Sequence, residues 1–177
     1  MTYDFLDGKL PAEYLDVKPI WLDADQCSMS EVKAPQDNGT FSLAAKPWYP
    51  NFDGDVISIG GHLHDGGFNA QVLVDNATVC DSVAKYAESP EFVFKGATTM
   101  ASGEKFAEKH ISSMNVCYYN EPKAMKLDKG KPWLLKGVYD YDKFAGNREA
   151  DGEQASIMAI AISYAAVSPG GVPIPSA

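Results

Sequence analysis

Histidine is scarce in this chain, with three residues in 177. Cysteine is equally scarce, and no two of the three cysteines stand at the Cys-x-x-Cys spacing of a zinc ribbon or a redox motif. No apolar run approaches the roughly 20 residues that a membrane-spanning helix needs. A secretory h-region is also missing. Basic residues are outnumbered: 15 Lys and Arg against 24 Asp and Glu give a net charge of -9, and the cations are scattered. That balance argues against nucleic acid as a partner, because a polyanion needs a clustered basic surface. There is no P-loop, dinucleotide fingerprint or Gly-x-Ser-x-Gly elbow, so the usual sequence signs of nucleotide or serine-hydrolase chemistry are absent.

What is present reads as β-structure. Segments 14–22, 40–44, 55–63, 69–74, 91–94, 111–119, 133–139 and 155–164 are mostly short and rich in Val, Ile, Tyr, Phe and Trp. Gly, Pro, Asn and Asp clusters bound them. Pieces of this number and spacing predict an all-β fold, a jelly-roll-like antiparallel β-sandwich with one or two short helices. The helices are expected at 81–88, for two turns, and at 103–109, with Ser102 as cap. Residues 1–167 are expected to form a single domain, followed by a Pro/Gly-rich tail at 168–177.

Cys27, Cys80 and Cys117 allow three single disulfides. Cys80 with Cys117 is preferred, because both flank strand-like segments of the expected core. Asn38-Gly39-Thr40 and Asn76-Ala77-Thr78 are glycosylation acceptor sequences. With the cysteines they point to an oxidising, secretory origin, in a mature form without its signal peptide.

Two of the three histidines stand two residues apart, in Gly60-Gly61-His62-Leu63-His64-Asp65-Gly66-Gly67. They end a β-branched run, and side chains at i and i+2 on a strand share a face. His62 and His64 therefore point the same way and can grip one metal ion. Ile57, Ile59 and Leu63 are expected on the opposite face, in the core. The third histidine, His110, opens the segment His110 to Tyr119 and becomes a further ligand if that strand faces the pair. Thioether sulfur favours copper over hard cations. Met158 and Met114, each in a strand-like run, are the candidates to supply it.

The strand ending in His62-Leu63-His64 and closed by glycine resembles the His-x-His of the second copper lobe of the copper type II, ascorbate-dependent monooxygenases. That family includes the peptidylglycine α-hydroxylating and dopamine β-monooxygenases. Lys129-Gly130-Lys131-Pro132-Trp133-Leu134-Leu135-Lys136-Gly137-Val138-Tyr139 is similar to a turn and strand of that lobe. The run around Met158 resembles the strand whose methionine is the third copper ligand. The resemblance extends from Asp55 to Tyr164. It implies a jelly-roll sandwich and one copper held by His62, His64 and Met158, where the family binds and activates dioxygen. The family also has another lobe, with a second copper on three further histidines. This chain has no room and too few histidines for it, so two-copper hydroxylation does not carry over. His110 matches no ligand of the family.

Three functions follow. The first is a copper-binding jelly-roll domain, with single-copper oxidase or oxygenase-like chemistry on a small molecule. The second is a non-redox cyclase or isomerase, with the histidines as acid/base groups and Trp48, Tyr49, Phe52 and Trp133 shaping a pocket. The third is a secreted, non-catalytic binding module.

Overall fold

The computed structural model describes residues 5, 7–8, 11–94, 103 and 105–169. Its strands are β1 Asp16–Asp23, β2 Thr40–Ala44, β3 Gly54–Leu63, β4 Gly67–Val74, β5 Ala77–Tyr86, β6 Ile111–Met114, β7 Val116–Tyr118, β8 Met125–Leu127, β9 Trp133–Asp140 and β10 Ala159–Val167. They make two antiparallel sheets. The first has the order β1-β10-β3-β7, with β8 also on β3, and the second has the order β2-β9-β4-β5-β6. The inward faces of both sheets join in one hydrophobic cluster that includes Val56, Ile59, Leu63, Val72, Leu127, Trp133, Leu135 and Tyr139. The protein is thus the all-β sandwich that the alternating, turn-punctuated sequence predicts.

Several local expectations need correction. The segment 81–88 is not a helix, because β5 runs on to Tyr86. Cys80, Ser82 and Ala84 are buried at alternate positions, a period of two that suits a strand whose sheet lays one face on the core. Its Ala, Lys and Glu residues favour helix only weakly, and pairing with β4 and β6 overrides them. The segment 103–109 is not helical at residues 105–109 either. Lys105 bridges Arg148 and Lys109 bridges Val93. Ser102, its expected cap, and the tail from residue 170 lie outside the described residues. Segment 91–94 is not a strand: Pro90–Phe92 forms one 3-10 turn. The expected strand 111–119 breaks at Asn115, where the chain passes from the second sheet (β6) to the first (β7).

Ile57 does not point into the core. Ser58 pairs with Tyr164 and Val56 with Ala165, so Ile57 is an extra residue on β3, a β-bulge that shifts the alternation by one. Val56 and Ile59 are buried on either side of it, and Ile57 is exposed.

The sandwich is thin beneath the histidine pair. A Cβ at Gly61 would lie 2.6 Å from the Ala70 Cβ of the opposite sheet. Only glycine lets the sheets approach so closely there. A disulfide between Cys80 on β5 and Cys117 on β7 ties the two sheets together, which is the pairing preferred from the sequence. Such a bond is consistent with a secreted protein. Cys27 is free and exposed. Asn38 and Asn76 are both exposed. No helix among the described residues is long and apolar enough to cross a membrane.

Candidate metal centre

The histidine pair is made by a strand and the turn that ends it. His64 opens a four-residue turn in which the Gly67 amide donates to the His64 carbonyl, 3.0 Å away. Gly66 sits at φ +90°, the left-handed third position of such a turn. Leu63 points inward and is buried, so His62 and His64 project from the outer face of the first sheet. Their ring centres are 5.8 Å apart and the rings are perpendicular.

The protonation of the pair can be read from its partners. His64 Nδ1 lies 2.8 Å from the Ser156 carbonyl oxygen. A carbonyl only accepts, so Nδ1 carries a hydrogen, and Nε2 is the ring nitrogen left to face a metal. A metal-binding histidine is usually oriented by this kind of bond. His62 is held below the ordinary histidine pKa, first by partial burial and second by the neighbouring His64. It is therefore neutral near pH 7 and also offers a lone pair.

Strand register brings the Met158 backbone near this pair. Leu63 pairs with Ala159 and His62 with Ile160, so His64 and Met158 are the residues that follow and precede the last paired rung, and Met158 is not among the walls of the cleft described below. The Tyr139 hydroxyl fastens this rung from the second sheet. It accepts from the His64 backbone N–H at 3.2 Å and donates to the Met158 carbonyl oxygen. Tyr139 is fully buried, and burial pushes its phenol pKa well up, so it stays protonated as a donor.

The opposite edge of β3 is open beyond Gly60, because β7 pairs only with Ser58 to Gly60. A cleft of about 570 Å³ lies there, and His62, His64, Asp65, His110, Met114 and Glu149 are among its walls. His110 is mostly buried. Its Nδ1 pairs with Asp65 Oδ2 at 2.5 Å, and its ring meets Phe94 edge-on, with centres 4.4 Å apart. His110 Nε2 is buried and has no hydrogen-bond partner among the described residues. Asp65 also accepts from the Ile111 amide, 2.8 Å away, so it fixes the start of β6 and the His110 ring together. Sequence reasoning missed Asp65, Tyr139 and Ser156. Only Asp65 carried a local signal, as the residue after His64. Trp48, Phe52 and Trp133 pack on one another, and none of them lines the cleft.

The donors suit a copper ion. A nitrogen-bound metal sits about 2.0–2.1 Å from its ligand atom, which puts each ring centre about 3 Å from it. Two rings 5.8 Å apart can therefore share one ion. Among the described residues no three of His, Cys, Asp and Glu converge closely enough to hold a metal. A third donor to an ion on these two histidines would therefore be of another kind.

A thin β-sandwich with a paired-histidine corner is the class that the fold and the site define. The chain is distantly similar to copper-dependent oxygenases. It is 25% identical over 146 residues to the probable copper-dependent oxygenase clz3 of Cochliobolus lunatus, covering 82% of this chain and 41% of that protein. It is also 25% identical over 153 residues to the probable copper-dependent oxygenase M1 of a Phoma species, covering 86% of this chain and 35% of that protein. The chain therefore spans well under half the length of these relatives. No family model and no solved structure matches it.

Proposed function

We propose that the chain is a copper-binding domain whose one ion is held by His62, His64 and Met158 and which takes part in oxygen-dependent chemistry on a small molecule. The observation that carries this reading is the ring arrangement itself. Two imidazoles share a face with ring centres 5.8 Å apart, and the Ser156 carbonyl fixes His64 through Nδ1. The likeness to proteins named copper-dependent oxygenases supports the choice of metal, as does the resemblance to the second copper lobe of the ascorbate-dependent monooxygenases. A copper ion on two nitrogens and a thioether would supply one-electron exchange with dioxygen. The chain's own residues do the rest. Ser156 and Tyr139 orient the donors, and the cleft beside β3 gives a small molecule room to approach them.

The test is copper content after reconstitution of metal-free protein. One copper per chain is expected, and the change of both His62 and His64 to Ala abolishes uptake. A folded protein that takes up no copper sinks the proposal.

A second reading rests on His110 and Asp65. Their hydrogen-bonded pair in the wall of the same cleft is suited to acid/base catalysis by a cyclase or isomerase. Activity that survives chelation and is lost in His110→Gln would favour it.

A further inference from the structure

The first sheet's outer face carries a surface that the copper reading does not use. Five large apolar side chains are left exposed on it: Val17 53%, Trp21 51%, Val116 45%, Tyr118 67% and Tyr164 44%. Strand register arranges them in rows. Trp21, Ile162, Gly60 and Val116 stand side by side across β1, β10, β3 and β7. Pro19, Tyr164, Ser58 and Tyr118 form the next row. Neither row holds a charged residue. The patch is bounded at one end by the Lys126–Asp55 ion pair and at the other by His62 and the buried Asp23. Exposed apolar patches of this kind mark interaction sites.

We propose that this face pairs with the same face of a second copy of the chain. Three arguments select that partner. First, each copy carries a net charge of -9 and repels another, and these two rows let copies touch without bringing like charges together. A foreign acidic or basic partner finds no complementary charge there. Second, the rows are self-complementary. A two-fold axis in the interface, running along the strands between β10 and β3, lays β10 of one copy over β3 of the other. Ile162 then meets the partner's Gly60, and Tyr164 meets the partner's Ser58. Trp21 meets the partner's Val116, and Pro19 meets the partner's Tyr118. In the central strands a large side chain opposes a small one each time. Third, the area suits a weak dimer. Side chains of these sizes and exposures contribute roughly 500–600 Å² per copy, somewhat below the roughly 800 Å² per partner of a standard interface. The expected affinity is micromolar.

Sedimentation equilibrium of the metal-free full chain tests this. The molar mass is expected to rise from one chain to two across the micromolar range. Trp21→Glu and Gly60→Val should each weaken association at least about tenfold. A Cβ at Gly60 would meet only Val116 Cγ2, at 3.5 Å, so the single chain accommodates Val while the paired face does not. Lys136→Glu, on the outer face of the second sheet, should leave association unchanged, and melting curves report whether each variant is folded. A chain that stays monomeric across the range overturns the proposal. So does association that persists in both Trp21→Glu and Gly60→Val. Copper uptake is measured separately, so failure of the dimer leaves the metal reading standing.

Discussion

The outer faces of the two sheets share a core but carry opposite chemistry. On the second sheet the cross-strand row is Ala44, Lys136, Gln71 and Asp81. The next holds Ser42, Val138, Asn69 and Val83, and the Asn69 amide donates to Asp81 across it at 2.6 Å. These rows mix polar and charged side chains with two valines: Lys136 and Asp81 share one row, and Asn69, itself buried, bonds to Asp81. On the first sheet the comparable rows are aromatic and aliphatic, and they lead to two histidines. A sheet that only had to cover a core would need no such difference. The proposed metal site lies on the more apolar of the two faces.

That contrast can be broken or sharpened by experiment. The largest effect is expected at the donors. His64→Ala should lower copper affinity by more than about a hundredfold, well beyond the 10–100-fold typical of outer-shell groups. Gln71→Ala on the second sheet should change nothing. Replacing both Cys80 and Cys117 by Ser unties the faces from each other. With a sequence separation of 37, the loss should be about 3–4 kcal/mol in urea unfolding. Copper uptake by the folded fraction should survive, because core packing still sets the sheet spacing, and its disappearance would mean that the disulfide holds that spacing at the site.

Smaller effects come from the groups between the faces. Tyr139→Phe leaves the His64 amide and the Met158 carbonyl without their shared partner, which should cost about 1–3 kcal/mol and weaken copper binding about tenfold. An unchanged copper affinity would show that strand pairing alone holds the rung. The smallest effect is alkaline. Burial pushes the Tyr141 phenol up to about 12, with the Arg148 charge opposing. The unfolded chain loses that proton near pH 10 and the folded one later. Stability is therefore fully present below pH 10 and falls as pH rises towards 12. Unfolding followed between pH 9 and 11.5 should show the decline, and Tyr141→Phe should make it shallower, the remainder coming from the other phenols that burial raises, Tyr86, Tyr119 and Tyr139.

Much of the fold was legible because the chain punctuates its strands strongly. Val, Ile and aromatic runs ending in glycine or proline gave β2, β3, β4 and β9 to within a residue or two. β5 was hidden because its inward residues, Cys80, Ser82 and Ala84, are small and carry no apolar alternation. The bulge at Ile57 was invisible for another reason: a one-residue slip depends on the partner strand, and β10 is about a hundred residues away in sequence. At the site, the shared face of His62 and His64 follows from strand periodicity. The partners that orient them do not. Ser156 and Tyr139 reach the pair from 92 and 75 residues away, respectively, and no local pattern marks them.

The Tyr139 hydroxyl has one more consequence. It comes from across the core, so it works as a calliper, closing on the His64–Met158 rung only at the sandwich's native thickness. Wedges far from the proposed metal site would then be felt there. A Cβ at Gly137 would lie 2.5 Å from the Ala159 Cβ, beside Met158. A methyl group at that position touches no donor, yet it would force the jaws apart and detune the centre from beneath.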